Sequence, residues 1–195
     1  LNLNFVENNI KFSLPIEQPV LKNKISNILK KYNTNNLPIV VVAPGAKRKT
    51  NQWNVEKFIK VSQHILNKGY FICLIGGKNE EKITNIIKEN FKKNIISLSG
   101  QLSILESAFL LKQSKICVCV DSGVQHISAA VGTKVISLFS ARDFPGMWYP
   151  EGNQNIIIRK TDICSCFLKE YCEGNKCMGL INVDDVTSSF DNAIK

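Results

Sequence analysis

The sequence predicts an α/β fold, a Rossmann-like parallel sheet flanked by helices, and three observations carry that prediction. Short apolar runs rich in β-branched residues recur along the chain, as strands covered on both faces require. Between them lie segments whose apolar residues follow helical spacing. Polar loops carrying glycine follow three of the runs, and loops at the carboxyl ends of parallel strands line one crevice where ligands bind.

In order, residues 1–37 are polar and Asn-rich and read as a linker, with a short helix over Ile25–Tyr32 from the spacing of Ile25, Ile28 and Leu29. Pro38–Ala43 reads as the first strand and Val55–Asn67 as a helix, with Phe58, Val61, Ile65 and Leu66 on one face and Gly69 as its stop. Tyr70–Ile75 reads as a strand, Glu80–Phe91 as a helix and Ile95–Leu98 as a short strand. The helix Ile104–Gln113 starts at Ser103, with Glu106 at capping-box spacing. Ile116–Val120 reads as a strand, Val124–Val131 as a helix and Val135–Phe139 as a strand. Ile156–Ile158 is a candidate last strand, and the segment 183–194 reads as a closing helix. Strands alternating with helices imply βαβ units and hence a parallel sheet.

The chain has 195 residues, enough for one domain with a substantial core. No apolar stretch approaches the roughly 20 residues needed to cross a bilayer, and Leu1–Asn9 lacks the features of a signal peptide. The chain opens without Met, and we expect it to be a piece of a longer protein. Its formal net charge of +9 favours anionic partners. Against nucleic acid, the basic residues do not interleave with aromatics as stacking platforms require. An anionic membrane surface remains a candidate partner for this charge.

Three loops carry chemistry. Pro44-Gly45-Ala46 leads into Lys47-Arg48-Lys49-Thr50-Asn51, where free amides and cations suit a phosphate, or simply form a solvated basic turn. Gly76-Gly77 follows a strand and opens a helix whose amides attract anions, with Glu80 placed to accept from a ribose or to act as a helix-start acid. It is not the Gly-x-Gly-x-x-Gly fingerprint of an NAD site. Asp121-Ser122-Gly123-Val124-Gln125-His126 is the sharpest: Asp121 or Ser122 caps a helix, Gly123 exposes its first amides, and His126 lies about one turn in. Together these loops predict a site for a nucleoside diphosphate. Trp148 and Tyr149 either contact a sugar or a partner domain, or pack on the sheet edge; packing is the expectation.

The order of these pieces resembles glycosyltransferase family 9, the ADP-heptose:lipopolysaccharide heptosyltransferases. The matching residues are Pro44-Gly45-Ala46, Asn51-Gln52-Trp53, Gly76-Gly77 with Glu80-Glu81, Leu98-Ser99-Gly100, Leu105-Glu106, Asp121-Ser122-Gly123-x-x-His126 and Leu138-Phe139-Ser140. The resemblance implies the C-terminal domain of a GT-B glycosyltransferase over residues 38–195, with the acceptor domain and its general base outside this chain. It implies an inverting, metal-independent transfer of heptose, or another sugar, from a nucleotide diphosphate sugar such as ADP-heptose to lipopolysaccharide core. It also implies a bacterial, cytoplasmic enzyme, peripheral to the inner membrane. The donor-binding residues so implied are Gly45, Ala46, Lys49, Thr50, Asn51, Gly76, Gly77, Glu80, Asp121, Ser122, Gly123 and His126, with no catalytic residue in this chain, which alone should bind donor weakly and catalyse nothing. One departure stands out: many members place Lys two residues before the Trp, where this chain has Asn51. A non-catalytic sugar-nucleotide-binding domain, an epimerase on the same fold and a nucleic-acid-binding module are the competing readings.

Seven cysteines are present. Cys73, Cys117 and Cys119 sit in apolar runs and read as core residues. Cys164, Cys166, Cys172 and Cys177 form a cluster open to three readings: reduced structural thiols, a structural Cys₄ zinc site, or disulfides. No other cofactor is expected.

Overall fold

Ile39–Ala43 (β1) is buried at every position, the signature of a strand with helices on both faces. Side-chain alternation divides it: Val40 and Val42 enter one apolar layer, and Ile39, Val41 and Ala43 enter the other. A computed structural model describes residues 15–16, 19–160, 168, 172 and 174–195. Its further strands are Phe71–Leu74 (β2), Ile95–Ser97 (β3), Ile116–Val120 (β4), Lys134–Phe139 (β5) and Ile156–Arg159 (β6). The helices are Pro19–Tyr32 (α1), Val55–Asn67 (α2), Glu81–Glu89 (α3), Ile104–Lys112 (α4), Gly123–Ala130 (α5), Lys176–Leu180 (α6) and Val183–Ala193 (α7).

All six strands pair in parallel, in the order β3-β2-β1-β4-β5-β6. The sheet grows outward from β1 to β3, then returns to β4 on the other side of β1. The chain therefore reverses direction between β1 and β4, and the crevice outside their carboxyl ends is where this topology binds ligands. On one face α2, α3 and α7 cover the sheet; on the other lie α1, α4 and α5.

Most expected elements appear within a residue or two. Ser103 and Glu106 form the capping box that starts α4, with the Ser103 Oγ accepting from the Glu106 amide at 3.3 Å and Glu106 Oε2 accepting from the Ser103 amide at 2.7 Å. Two differences matter. Helix α1 begins at Pro19, six residues before the expected start, because proline's fixed φ suits a first helical turn. It is packed and not a loose tether: Leu21 and Ile25 are buried, and the helix lies on α4. Helix α6 was not expected. It is held by α2, whose Lys57 donates to the carbonyls of Gly179 and Ile181 at 2.6 and 2.7 Å, while Trp53 Nε1 donates to Ile181 O at 3.1 Å.

Candidate functional site

The basic loop is braced from within. Residues Lys49–Asn51 form a 3-10 turn. Gln52 Nε2 donates to Ala46 O at 3.0 Å, and Asn175 Nδ2 donates to the carbonyls of Lys49 and Gln52 at 3.3 and 2.9 Å. Bracing the backbone from α6's side leaves the long side chains of Lys47, Arg48 and Lys49 exposed.

Asn51 turns inward. Its Nδ2 donates to Asp121 Oδ2 at 2.9 Å, and its Oδ1 accepts from Ser140 Oγ at 2.8 Å. Asp121 Oδ1 accepts from Gln125 Nε2 at 2.8 Å, and Gln125 Oε1 accepts from Ser137 Oγ at 2.6 Å. A continuous chain of hydrogen bonds thus ties the ends of β1, β4 and β5 together. The Asp121 carboxyl is pushed above the usual carboxylate range, chiefly by burial and also by the nearby Asp143 carboxylate. The Gln125 hydrogen bond and the charges of His126 and Arg48 oppose that shift. Asp143 itself is buried against Arg142 at 2.7 Å.

Over this network opens a cavity of about 780 Å³ lined by Lys47, Arg48, Lys49, Asn51, Asp121, Ser122, Gly123, His126 and Trp148. It sits at the β1/β4 reversal. Helix α5 begins there, at the end where a helix's first amides lack carbonyl partners one turn back; the Gln125 amide turns to Ser122 O at 3.2 Å. Ser122, its N-cap, makes no side-chain cap bond, and its buried Oγ has no hydrogen-bond partner among the described residues. A Cβ built on Gly123 would meet nothing within 4 Å among the described residues, so their packing does not demand glycine there. The absent side chain leaves the amides open to the cavity. Cations on one wall and a helix N-terminus on the other make this a receptor for an anion.

A second cavity of about 370 Å³ lies on the β2 side, lined by Gly45, Ala46, Trp53, Glu80, Ile83 and Ile86 among others. Here the glycines have a packing role besides the one the sequence suggests. A Cβ on Gly45 would lie 2.0 Å from Glu80 Cγ, and one on Gly76 would lie 2.7 Å from Glu80 Cβ. These glycines make room for Glu80. The Gly77 amide is also taken, donating to Glu80 Oε2 at 2.7 Å, so a carboxylate already fills the anion position at that helix start.

The structure therefore brings Lys49, Asn51, Asp121, Ser122, Gly123 and His126 to one cavity, and Gly45, Ala46 and Glu80 to its neighbour. Gly76 and Gly77 enclose Glu80. Thr50 is buried, with its hydroxyl directed to Asn51 Oδ1 at 3.5 Å. Sequence reasoning missed Gln125, although its spacing of four from Asp121 on a helix start was a usable signal. It also expected Trp148 and Tyr149 to pack alike. Tyr149 does pack, edge-on to Phe139 at 4.9 Å, whereas Trp148 lines the cavity.

Of the cysteine cluster, Cys164 and Cys166 lie outside the described residues. Cys177 is buried, and its Sγ accepts from the Ala141 amide at 3.3 Å. Among the described residues no group of three or more His, Cys, Asp or Glu side chains could hold a metal ion. Among the described residues, too, no helix is long and apolar enough to cross a membrane.

The parallel sheet and its strand order define a Rossmann-like α/β domain. Residues 4–177 match glycosyltransferase family 9 (heptosyltransferase), and the chain belongs to that family. The lipooligosaccharide heptosyltransferase 2 of Haemophilus ducreyi is 28% identical over 164 residues, covering 76% of this chain and 47% of that protein. The structure of Escherichia coli ADP-heptose LPS heptosyltransferase II superposes with a TM-score of 0.72 at 17% identity, over 90% of this chain and 51% of that one. An Escherichia coli heptosyltransferase with ADP-2-deoxy-2-fluoro heptose gives 0.63 at 20% identity, over 94% and 51%. At these identities the superpositions speak to fold alone. The chain spans about half the length of the relatives it matches.

Proposed function

We propose that this chain is the donor-binding half of an inverting, metal-independent glycosyltransferase that moves heptose from ADP-heptose to lipopolysaccharide core. The observation that carries the reading is the convergence of three cations and the open start of α5 on one cavity at the β1/β4 reversal. The names of the relatives, heptosyltransferases acting on lipooligosaccharide or lipopolysaccharide, supply the sugar and the acceptor class.

The diphosphate occupies the larger cavity, against Lys47, Arg48, Lys49 and the α5 amides. The nucleoside occupies the smaller one, where Ile83 and Ile86 offer apolar surface to a base. Glu80 keeps Oε1 for ribose hydroxyls while Oε2 holds the Gly77 amide. In transfer, an acceptor oxygen attacks the anomeric carbon from the face opposite the leaving group. The bond from that carbon to the diphosphate oxygen breaks, and the nucleoside diphosphate departs with the electron pair. Preorganised cations and amides stabilise the charge that develops on it, which is how a site of this kind works without a metal. The acceptor proton goes to a base outside this chain.

The enzyme so described works in the cytoplasm, and its net charge of +9 draws it to the anionic inner-membrane surface. The four cysteines are structural, as reduced thiols, a zinc site or disulfides; elemental analysis of the pure protein tests for the metal, and thiol titration separates the other two. Calorimetric titration of the chain with ADP-heptose, and with UDP and GDP sugars for comparison, tests the reading. Saturable binding of ADP-heptose is expected; no saturable binding of any nucleotide sugar overturns it.

A further inference from the structure

We propose that Trp148 is a specificity-determining residue that covers the sugar of the bound donor, and that Gln125 is the positioning residue that holds it there. The inference rests on the donor-binding reading above and extends it to a part of the ligand for which no contact has been named.

Along the carboxyl edge of the sheet, Glu80 follows β2, the basic loop follows β1, Asp121–Gly123 follow β4, and Trp148 follows β5. Those four strands are consecutive neighbours, so three steps of about 4.8 Å separate the first loop from the last, about 14 Å in all. A nucleoside diphosphate sugar is a linear ligand of three parts. With the nucleoside over β2 and the diphosphate over β1 and β4, the sugar falls beside β5. The large side chain that lines the cavity there is Trp148.

Trp148 is unusual for this position. It is 50% exposed, although the cavity it lines is otherwise polar and basic. No described residue accepts from its indole N–H. Its backbone, by contrast, is fixed. The Trp148 carbonyl accepts from Gln125 Nε2 at 3.2 Å, and the next residue, Tyr149, packs edge-on against Phe139. Gln125 is fully buried and uses the same amide nitrogen to hold Asp121 Oδ1, while its oxygen accepts from Ser137. One side chain thus locks the acidic loop and the aromatic loop into a single wall. A backbone held this firmly beneath a half-exposed indole is a preorganised surface awaiting a ligand. A pyranose ring presents a face of C–H bonds that an indole covers by burial and dispersion, and its hydroxyls can accept from the indole N–H.

The test measures the ratio of ADP-heptose to ADP affinity by calorimetry on the full chain. Trp148→Ala should shift that ratio against ADP-heptose by about three- to tenfold, the range for one aromatic contact, and Trp148→Phe should recover part of the loss. An independent readout uses fluorescence, because the chain has two tryptophans and Trp53 is buried. Acrylamide quenching should fall when ADP-heptose binds and stay near the unliganded level with ADP. A ratio unmoved by Trp148→Ala, or quenching unchanged by ADP-heptose while ADP binds normally, overturns this proposal and leaves the donor-binding reading standing. A wild-type chain that binds neither ligand overturns both.

Discussion

Replacing Gly45 by alanine tests whether that glycine serves packing or a ligand. The added methyl would sit 2.0 Å from Glu80 Cγ, 3.0 Å from its Cβ and 3.1 Å from its Cδ. Contacts at such distances are not tolerated, and Cγ is not the free tip of a flexible chain. Glu80 must therefore swing away and surrender its bond to the Gly77 amide, now 2.7 Å long. Losing such a cap costs about 0.5–2 kcal/mol, and forcing a methylene into a filled site costs about 1–3 kcal/mol. A net loss of about 2 kcal/mol is expected, which lowers the Tm by about 4–8 °C in a domain of this size. The assay is a double-mutant cycle in urea with Glu80→Ala. In that background the obstructing side chain is gone and the cap is already lost, so Gly45→Ala should cost little. The coupling energy should be about 1–2 kcal/mol. Equal destabilisation of Gly45→Ala with and without Glu80, or none in the wild type, refutes the packing account.

Gly123→Ala is the counterpart: its Cβ meets nothing within 4 Å, so Tm should hold, while ADP affinity should fall about ten- to hundredfold as the methyl intrudes on charge-assisted bonds to the α5 amides. Unchanged affinity in a calorimetric titration would remove those amides from the site. Changing Lys47, Arg48 and Lys49 together to Gln should weaken ADP binding and flatten its dependence on salt, since these are the cations on the cavity wall; an unaltered salt slope would place the diphosphate elsewhere. Asp191 lies against His64 at 2.9 Å and Lys68 at 3.2 Å, and the His64 hydrogen bond, then that from Lys68, hold its carboxyl below the usual range. A depressed folded-state value means stability present above the ordinary carboxylate pKa and lost as pH falls through the lowered one. Asp191→Asn should therefore lower the urea midpoint at pH 7 but not at pH 2–3; a deficit that persisted in acid would rule out the ionic explanation.

Strands and most helices were legible because their signals are local. Ile116–Val120 is apolar throughout and buried throughout, and Ser103 with Glu106 announces a helix start by spacing alone. Helix α6 was not legible, because its five residues are held by Trp53 and Lys57, more than a hundred positions away in sequence. Such a short helix has little stability of its own. The site was half legible. Residue types suggested an anion receptor, and Asp121, Ser122, Gly123 and His126 line one cavity with the basic loop. Which glycine serves which purpose was invisible, because Gly45 and Gly123 look alike until the neighbours of an imagined Cβ are known. Gln125 was hidden for a related reason: an amide four residues after an acid is commonplace, and only burial together with Ser137 and Trp148 makes it a junction.

Asn51 shows how the two halves of this wall depend on each other. The resemblance leads one to expect lysine there, yet the position is 3% exposed and is asked both to donate and to accept. An ammonium donates only, so lysine could hold Asp121 but would leave Ser140 Oγ without its acceptor. The amide does both, and in doing so bridges the ends of β1, β4 and β5 with no charge of its own. The positive charge that the site needs must then stand elsewhere, and Lys47, Arg48 and Lys49 stand on the cavity wall one turn away. A neutral amide beneath and exposed cations above separate two tasks: the buried residue fixes the geometry of Asp121, and the basic residues supply the field. Arg48 is close enough to draw the Asp121 carboxyl downward, so the cations act on the network as well as on an arriving anion. Binding a diphosphate would neutralise part of that field and leave Asp121 with less opposition to the burial that already pushes it up. On the donor-binding reading, occupancy of the cavity and protonation of Asp121 would be linked through the basic loop, although the amide between them carries no charge.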